Sequence, residues 1–108
     1  MRIALFGDIH ANLEALEAVL EDASQQGVTD YVCMGDIVGY NADPAACLEK
    51  VRSMDCPTVK GNHDEDASGN HSLDSMNPVA PAALEWTRQQ LSEEQRQWLT
   101  KLRMVRQV

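Results

Sequence analysis

Short apolar runs alternate along the chain with longer segments whose apolar residues recur at helical spacing. The runs 2–6 and 31–34, and a brief third strand predicted over 58–60, are each followed by a glycine and a polar residue, the pattern of a strand that ends in a turn. Between them, the pattern predicts one helix after Asn12 and a second that opens at Asp43-Pro44. This order of strands and helices predicts an α/β fold with parallel strands and right-handed crossover helices.

The rest of the chain predicts a loop and two more helices. Residues 64–77 are polar and rich in Ser, Asp, Asn and Gly, which indicates an exposed loop. A helix is expected after Asn77-Pro78, with Pro81 tolerated near its start. The sequence Ser92-Glu93-Glu94-Gln95 is a capping box and predicts a last helix. No repeat or linker divides the chain, so we expect a single domain over residues 1–108.

The composition and charge narrow the class of partner. An apolar fraction of 44% with 24% charged residues is ordinary for a soluble globular domain. The net charge of −8 disfavours a nucleic-acid partner, because binding to that backbone depends on Lys and Arg. An acidic protein can still bind phosphate where metal ions reverse the local charge.

The cysteines and the apolar runs favour a cytoplasmic location. Cys33, Cys47 and Cys56 form no C-x-x-C pair and cannot all be bridged within the chain, so a reduced compartment is expected. Cys33 lies in an apolar run and is predicted to be a small buried hydrophobe. The apolar runs are too short to cross a bilayer or to form a signal peptide, so we expect no membrane partner.

Side chains capable of chemistry follow each predicted strand. The three turns read Gly7-Asp8-Ile9-His10, Gly35-Asp36 and Gly61-Asn62-His63-Asp64. In open parallel sheets ligands bind beyond the carboxyl ends of the strands, so these turns are expected to converge. Their carboxylate, imidazole and amide donors, without thiolate, suit Mn²⁺, Fe or Zn²⁺. The sequence therefore predicts a metal site at this edge of the sheet.

The spacing gives each of these side chains an expected role. Asp8 and His10 are two residues apart, so they project to one side of an extended segment and can chelate one ion. Asp36 has two carboxylate oxygens and could bridge two ions, while Asn62 offers its amide oxygen to the second ion. His63 would then be free to face a substrate. Two ions roughly 3.5–4 Å apart would form a clamp for in-line attack on phosphorus.

The motifs D-x-H, G-D and G-N-H-D, in this order, resemble the signature of the calcineurin-like metallophosphoesterase superfamily. Residues 7–16 and 35–40 are similar to its small prokaryotic phosphodiesterase and diadenosine-tetraphosphatase-like members, as are Asn77-Pro78 and the segment Leu84-Glu85-Trp86-Thr87. The resemblance covers nearly the whole chain. It implies the N-terminal half of an α/β/β/α sandwich.

The resemblance implies a metal-dependent phosphoesterase that hydrolyses phosphomonoester or phosphodiester bonds of a small molecule. It implies two divalent ions, Mn²⁺ foremost, with Fe, Zn²⁺ or Ni²⁺ as alternatives. Asp8 and His10 would bind the first ion, Asp36 would bridge, and Asn62 would bind the second. His63 would be catalytic, as an acid or charge stabiliser at the substrate. The attacking group would be a metal-bound hydroxide.

The chain departs from that family pattern after His63. Members supply further histidine-bearing segments, one ending in G-H-x-H, whereas this chain has only His71. It also lacks the second sheet, so one face of a parallel sheet would be left uncovered. We therefore expect a domain that is truncated on its C-terminal side, or one that pairs with another protein or with a second copy covering the exposed sheet. The alternative function is a catalytically incomplete half-domain that binds metal weakly or serves in assembly.

Three residues each keep two interpretations. Asp64, placed with His63 in the catalytic set, either hydrogen-bonds the histidine ring or fixes the loop through backbone bonds alone. His71 either lies in solvent or replaces a missing ligand. Tyr40 either lines the site or packs against its neighbours.

Overall fold

The computed structural model describes residues 1–69 and 80–104. Within them it has two strands, which we call β1 and β2, and five helices, which we call α1 to α5. In chain order these elements are β1 (Ile3–Phe6), α1 (Leu13–Gln25), β2 (Asp30–Cys33), α2 (Pro44–Met54), α3 (Asn62–Ser68), α4 (Ala80–Gln90) and α5 (Glu93–Lys101).

The two strands are parallel neighbours joined by a crossover helix, as predicted. Ile3 pairs with Asp30 and Phe6 with Cys33, and α1 connects the strands. The third predicted strand, 58–60, is reduced to isolated parallel bridges, Cys33 with Thr58 on one side and Val59 with Arg103 on the other. On the Cys33 side, the N–H of Cys33 donates to the carbonyl of Pro57 at 2.9 Å and the N–H of Val59 donates to the carbonyl of Cys33 at 3.1 Å.

Alternation along the strands sends one set of side chains into the core and leaves the other exposed. Phe6 and Cys33 are buried on the face that the helices cover. On the opposite face, Ile3, Leu5 and Met34 keep 50%, 67% and 60% of their surface accessible. The helices therefore cover one face of this sheet, and the other presents an apolar surface. The core itself draws on both strands and all five helices: Phe6, Ile9, Leu16, Cys33, Ile37, Val38, Cys47, Leu48, Val51, Ala67, Leu84, Leu91 and Leu99.

The predicted helix starts are found, each with its own chemistry. Asn12 caps α1 by accepting a hydrogen bond from the N–H of Ala15 at 3.1 Å. Ser92 and Gln95 form the expected reciprocal capping box at α5. Asp43 precedes α2, with proline at the first helical position, but its side chain makes no capping bond.

The prediction of an exposed loop over 64–77 is wrong for its first part. Residues Asn62–Ser68 form α3, which packs against α4 and α5. Acidic side chains in the first turn favour the positive end of a helix dipole, and Asp64 and Ala67 are buried. The acids that suggested a loop therefore open a helix. His71 and Asn77-Pro78 lie outside the described residues. Within the described part of the chain, no helix combines the length and apolar character that crossing a membrane requires.

Candidate metal centre

The site is built where the turn after β1 lies against the turn after β2. The N–H of Asp8 donates to the carbonyl of Gly35 at 3.0 Å, and the N–H of His10 donates to the carbonyl of Asp36 at 2.9 Å. These bonds continue the parallel pairing of the strands past their carboxyl ends. As a result, the side chains of the candidate site residues in the two turns are held side by side.

Five predicted site residues form one continuous string of contacts. The carboxylate of Asp8 lies 3.7 Å from Nε2 of His10, and the ring centroids of His10 and His63 are 4.8 Å apart. Nδ1 of His63 is 3.4 Å from Oδ1 of Asp36, and the amide of Asn62 lies 3.3 Å from both oxygens of Asp36. Ligand atoms of His10, Asp36 and His63 all lie within 4.8 Å of one another. The structure therefore brings the predicted ligands together. Asp8 is at the rim, with 82% of its side chain accessible.

Asp36 lies among polar side chains whose donors and acceptors suit a metal ion. Nδ1 of His63 is buried and makes no hydrogen bond within the described residues. In one amide orientation, Asn62 donates from its nitrogen to both oxygens of Asp36; in the other, its oxygen faces them and is free to bind an ion beside them. A buried imidazole nitrogen that makes no hydrogen bond, beside carboxylate and amide oxygens, is the donor set expected of a metal site, so these residues fit divalent ions.

Asp64 organises the site from below without facing it. Its side chain is fully buried, and its two oxygens accept hydrogen bonds from the backbone N–H groups of Asp36, Ile37, Val38 and Gly61, at 2.8–3.3 Å. Burial raises the pKa of this carboxyl, although the backbone donors oppose the shift. Three of these hydrogen bonds join the turn after β2 to the start of α3, and the fourth, from Gly61, caps that helix. This geometry favours the second interpretation of Asp64, that it fixes the loop.

Strained backbone concentrates in the same turns. Among the described residues, six that are not glycine have positive φ: Asp8, His10, Ala11, Asp36, Tyr40 and Asp55. All except Asp55, which ends α2, belong to the two turns of the site. Asp and His tolerate this conformation better than most residues do, and strain of this kind persists where surrounding contacts hold it.

Gly61 allows Asp36 to sit where it does. A Cβ at this position would overlap the Asp36 carboxylate and lie 2.5 Å from the Asp36 backbone nitrogen. The N–H of His63 donates to Oδ1 of Asp36 at 3.0 Å, so the start of α3 wraps closely around this carboxylate. Only glycine permits that approach.

The family follows from a comparison with known proteins. The family model for calcineurin-like phosphoesterases matches residues 1–101. The chain belongs to this family. Its α/β fold, with parallel strands and helices, matches the N-terminal portion of a metallophosphoesterase.

The chain is similar to a protein of Methanocaldococcus jannaschii and to two solved structures. It is 43% identical over 103 residues to the uncharacterised protein MJ0912 of Methanocaldococcus jannaschii, covering 95% of the chain and 42% of that protein. A crystal structure of a metallophosphoesterase from Sphaerobacter thermophilus matches 94% of the chain, with a TM-score of 0.77 and 49% identity. A candidate diadenosine tetraphosphatase matches the same share, with a TM-score of 0.71 and 25% identity. The chain spans 41% and 42% of those two structures.

Tyr40 is the feature of this site that sequence patterns left undecided. Its ring lies 4.8 Å from His10 and 4.7 Å from His63, measured between centroids. The preceding Gly39 has φ +95°, and a Cβ there would lie 3.0–3.3 Å from the His63 ring. The signal in the sequence was the glycine directly before an aromatic residue in a turn of the site. It indicated close approach, but not which ring was approached.

Proposed function

We propose that this protein is a metal-dependent phosphoesterase that hydrolyses phosphomonoester or phosphodiester bonds of a small molecule. One observation carries the proposal: five donor side chains from three turns lie in one string of contacts that includes Asp36, with a buried imidazole nitrogen that makes no hydrogen bond within the described residues. Family membership supports the same chemistry. Because the chain spans under half of its relatives, the activity is proposed for the fold that these residues belong to.

The ligands we propose for two divalent ions are Asp8, His10, Asp36 and Asn62. Asp36 is central, because it lies within reach of both Asn62 and His63 and has two oxygens to share. Oxygen and imidazole donors suit Mn²⁺, Fe, Zn²⁺ or Ni²⁺, and we propose Mn²⁺ as the native ion. When bound, such ions act as Lewis acids on the phosphoryl group and make a water molecule acidic near neutral pH.

We propose that His63 contacts the substrate and donates a proton, or holds charge, at the leaving oxygen. Its ring is partly accessible, it lies against Asp36, and its backbone is fixed at the start of α3. An imidazole held beside the metal ligands and open to the site can reach the oxygen of a bound phosphate ester. Asp64 has a positioning role, because it holds Asp36 and the helix that carries His63 in place.

The test measures hydrolysis and metal binding in parallel. The wild-type chain is assayed with Mn²⁺ against bis(4-nitrophenyl) phosphate and 4-nitrophenyl phosphate, and Mn²⁺ affinity is measured by calorimetry. We expect His63→Ala to lower turnover about 10²–10⁴-fold with little change in Mn²⁺ affinity. Asp36→Asn should lose both turnover and Mn²⁺ affinity. Asp55→Asn, in a left-handed turn outside the site where asparagine is tolerated, is the control. Full turnover in His63→Ala would refute the catalytic assignment.

A second function is favoured by the exposed apolar face of the sheet. Ile3, Leu5 and Met34 are all at least half accessible, which is unusual for one face of a small parallel sheet. On this alternative the chain is an assembly module that binds metal weakly, and a second copy covers the face. It predicts no turnover with any divalent ion, together with self-association in sedimentation. A monomer that hydrolyses the ester would exclude it.

A further inference from the structure

A cleft beside the candidate metal ligands extends onto helix α1. Its volume is about 310 Å³, within the range of small-molecule sites. The lining joins Asp8 and His10 to apolar side chains of α1, among them Leu16 and Val19. Val19 is 49% accessible although it is a large hydrophobic residue. The cleft thus has a charged part at the candidate ligands and an apolar wall on the helix.

Tyr40 lines this cleft in a conformation that a bulky residue seldom adopts. Its φ is +72°, a conformation that persists only where the surroundings enforce it. The enforcing contacts come from Asn41, whose backbone N–H and side-chain amide both donate to the carbonyl of His10, at 3.2 and 2.9 Å. The tyrosine ring is therefore held over His10 and His63, yet 75% of Tyr40 remains accessible.

A rigid aromatic ring that is open to solvent is suited to contacting a ligand. Flat rings stack on one another or meet edge to face, with a gain beyond simple burial. The polar side chains in this part of the lining are already engaged, Asn12 in capping α1 and Asn41 in binding the carbonyl of His10. What remains for a ligand away from Asp8 and His10 is the tyrosine ring and the apolar wall of α1.

We propose that Tyr40 and Val19 form a subsite for a flat aromatic group of the substrate, the organic part of a phosphate ester whose phosphoryl group lies at the metal ligands. The proposal rests on the phosphoesterase function proposed above and narrows its substrate class to aryl or similar ring-bearing esters. Tyr40 is then a residue that determines specificity. Its ring contacts with His10 and His63 place the ring at the site before the ligand arrives.

The experiment compares two non-hydrolysable ligands that differ only in the organic group. Phenylphosphonate and methylphosphonate are titrated by calorimetry into the whole chain with Mn²⁺. We expect the wild type to bind phenylphosphonate about tenfold more tightly, a difference of about 1.4 kcal/mol. In Tyr40→Ala the ratio of the two affinities should fall close to one, with the affinity for methylphosphonate unchanged. Tyr40→Phe keeps the ring and should keep the preference.

A second pair of variants tests the opposite wall of the cleft. Val19→Ser should also reduce the preference for phenylphosphonate over methylphosphonate. Because Val19 is exposed, we expect this variant to fold like the wild type. Ala18→Ser, one residue away on α1 and outside the lining, should leave it unchanged. Equal affinity of the wild type for both phosphonates would overturn the subsite but leave the phosphoesterase function standing. Binding of neither would overturn both.

Discussion

At the scale of single residues, Gly61 determines how closely α3 approaches the central carboxylate. A Cβ at this position would collide with Asp36, so Gly61→Ala should displace the carboxylate from Asn62 and His63. Changes beside a metal ligand typically weaken binding 10–100-fold, and we expect a loss of this size in Mn²⁺ affinity, measured by calorimetry.

The matched control for this change is another glycine outside the site. Gly27 follows α1 with φ +73°, and a Cβ there would meet nothing closer than 3.9 Å. Gly27→Ala should therefore lower stability through backbone strain but leave Mn²⁺ affinity unchanged. Equal losses of affinity in both variants would show that Gly61 acts through general stability.

Residue-scale burial also separates the three free cysteines. Burial raises the pKa of the Cys33 thiol to about 12 and that of Cys47 to about 11. A raised pKa means less thiolate, the reactive form, at any pH below it. Cys56 is only partly buried. At pH 8, iodoacetamide should therefore add one group, at Cys56, and reach the other two after unfolding in urea. Mass spectrometry checks the order, and rapid addition of three groups would contradict it.

The donors of the site could be predicted from sequence because residue type fixes their chemistry. Asp8, His10 and Asp36 offer the same atoms wherever they lie, and Gly-Asp after an apolar run marks the turn that carries them. The sequence could not decide between the two interpretations of Asp64, because its hydrogen bonds to the turn after β2 span 26–28 residues. Nor does the sequence encode φ at Tyr40, which contacts with His10 and Asn41 enforce.

At the scale of elements, the Asp64 carboxylate joins α3 to the turn after β2. An asparagine in place of Asp64 could accept hydrogen bonds only through its amide oxygen. Its NH₂ group would replace the other carboxylate oxygen and would face backbone N–H donors. We expect Asp64→Asn to lower the free energy of unfolding by about 1–3 kcal/mol. Urea titration measures the loss. Asp43→Asn, where the side chain makes no capping bond, is the control and should differ little from the wild type.

Elements were predictable where a local signal defines them. The caps at Asn12 and Ser92 involve neighbours three residues away, so they appear in the sequence and in the structure alike. The start of α3 was missed because its acids are also typical of loops, and only burial of Asp64 and Ala67 distinguishes the two. The third strand was overestimated because strand length depends on a partner of equal length.

At the scale of the whole molecule, the apolar face of the sheet should govern association. Ile3 and Leu5 are exposed on that face. Replacing both with Ser should therefore reduce the binding of a dye that reports exposed apolar surface, and should shift the sedimentation coefficient toward that of the monomer without unfolding the chain. Trp86→Gln, which removes an exposed aromatic residue from α4, is the control. Unchanged association in the double variant would place the contact surface elsewhere.

The hydrogen bonds of Asp64 also make hydrogen exchange in the turn after β2 depend on a distant helix. They connect the amides of Asp36, Ile37 and Val38 to a helix far along the sequence, so those amides can exchange with deuterated solvent only when α3 departs. Three backbone hydrogens in one turn thereby report on the docking of a distant element. Their deuterium uptake over time would follow the completion of the site with neither metal nor substrate present.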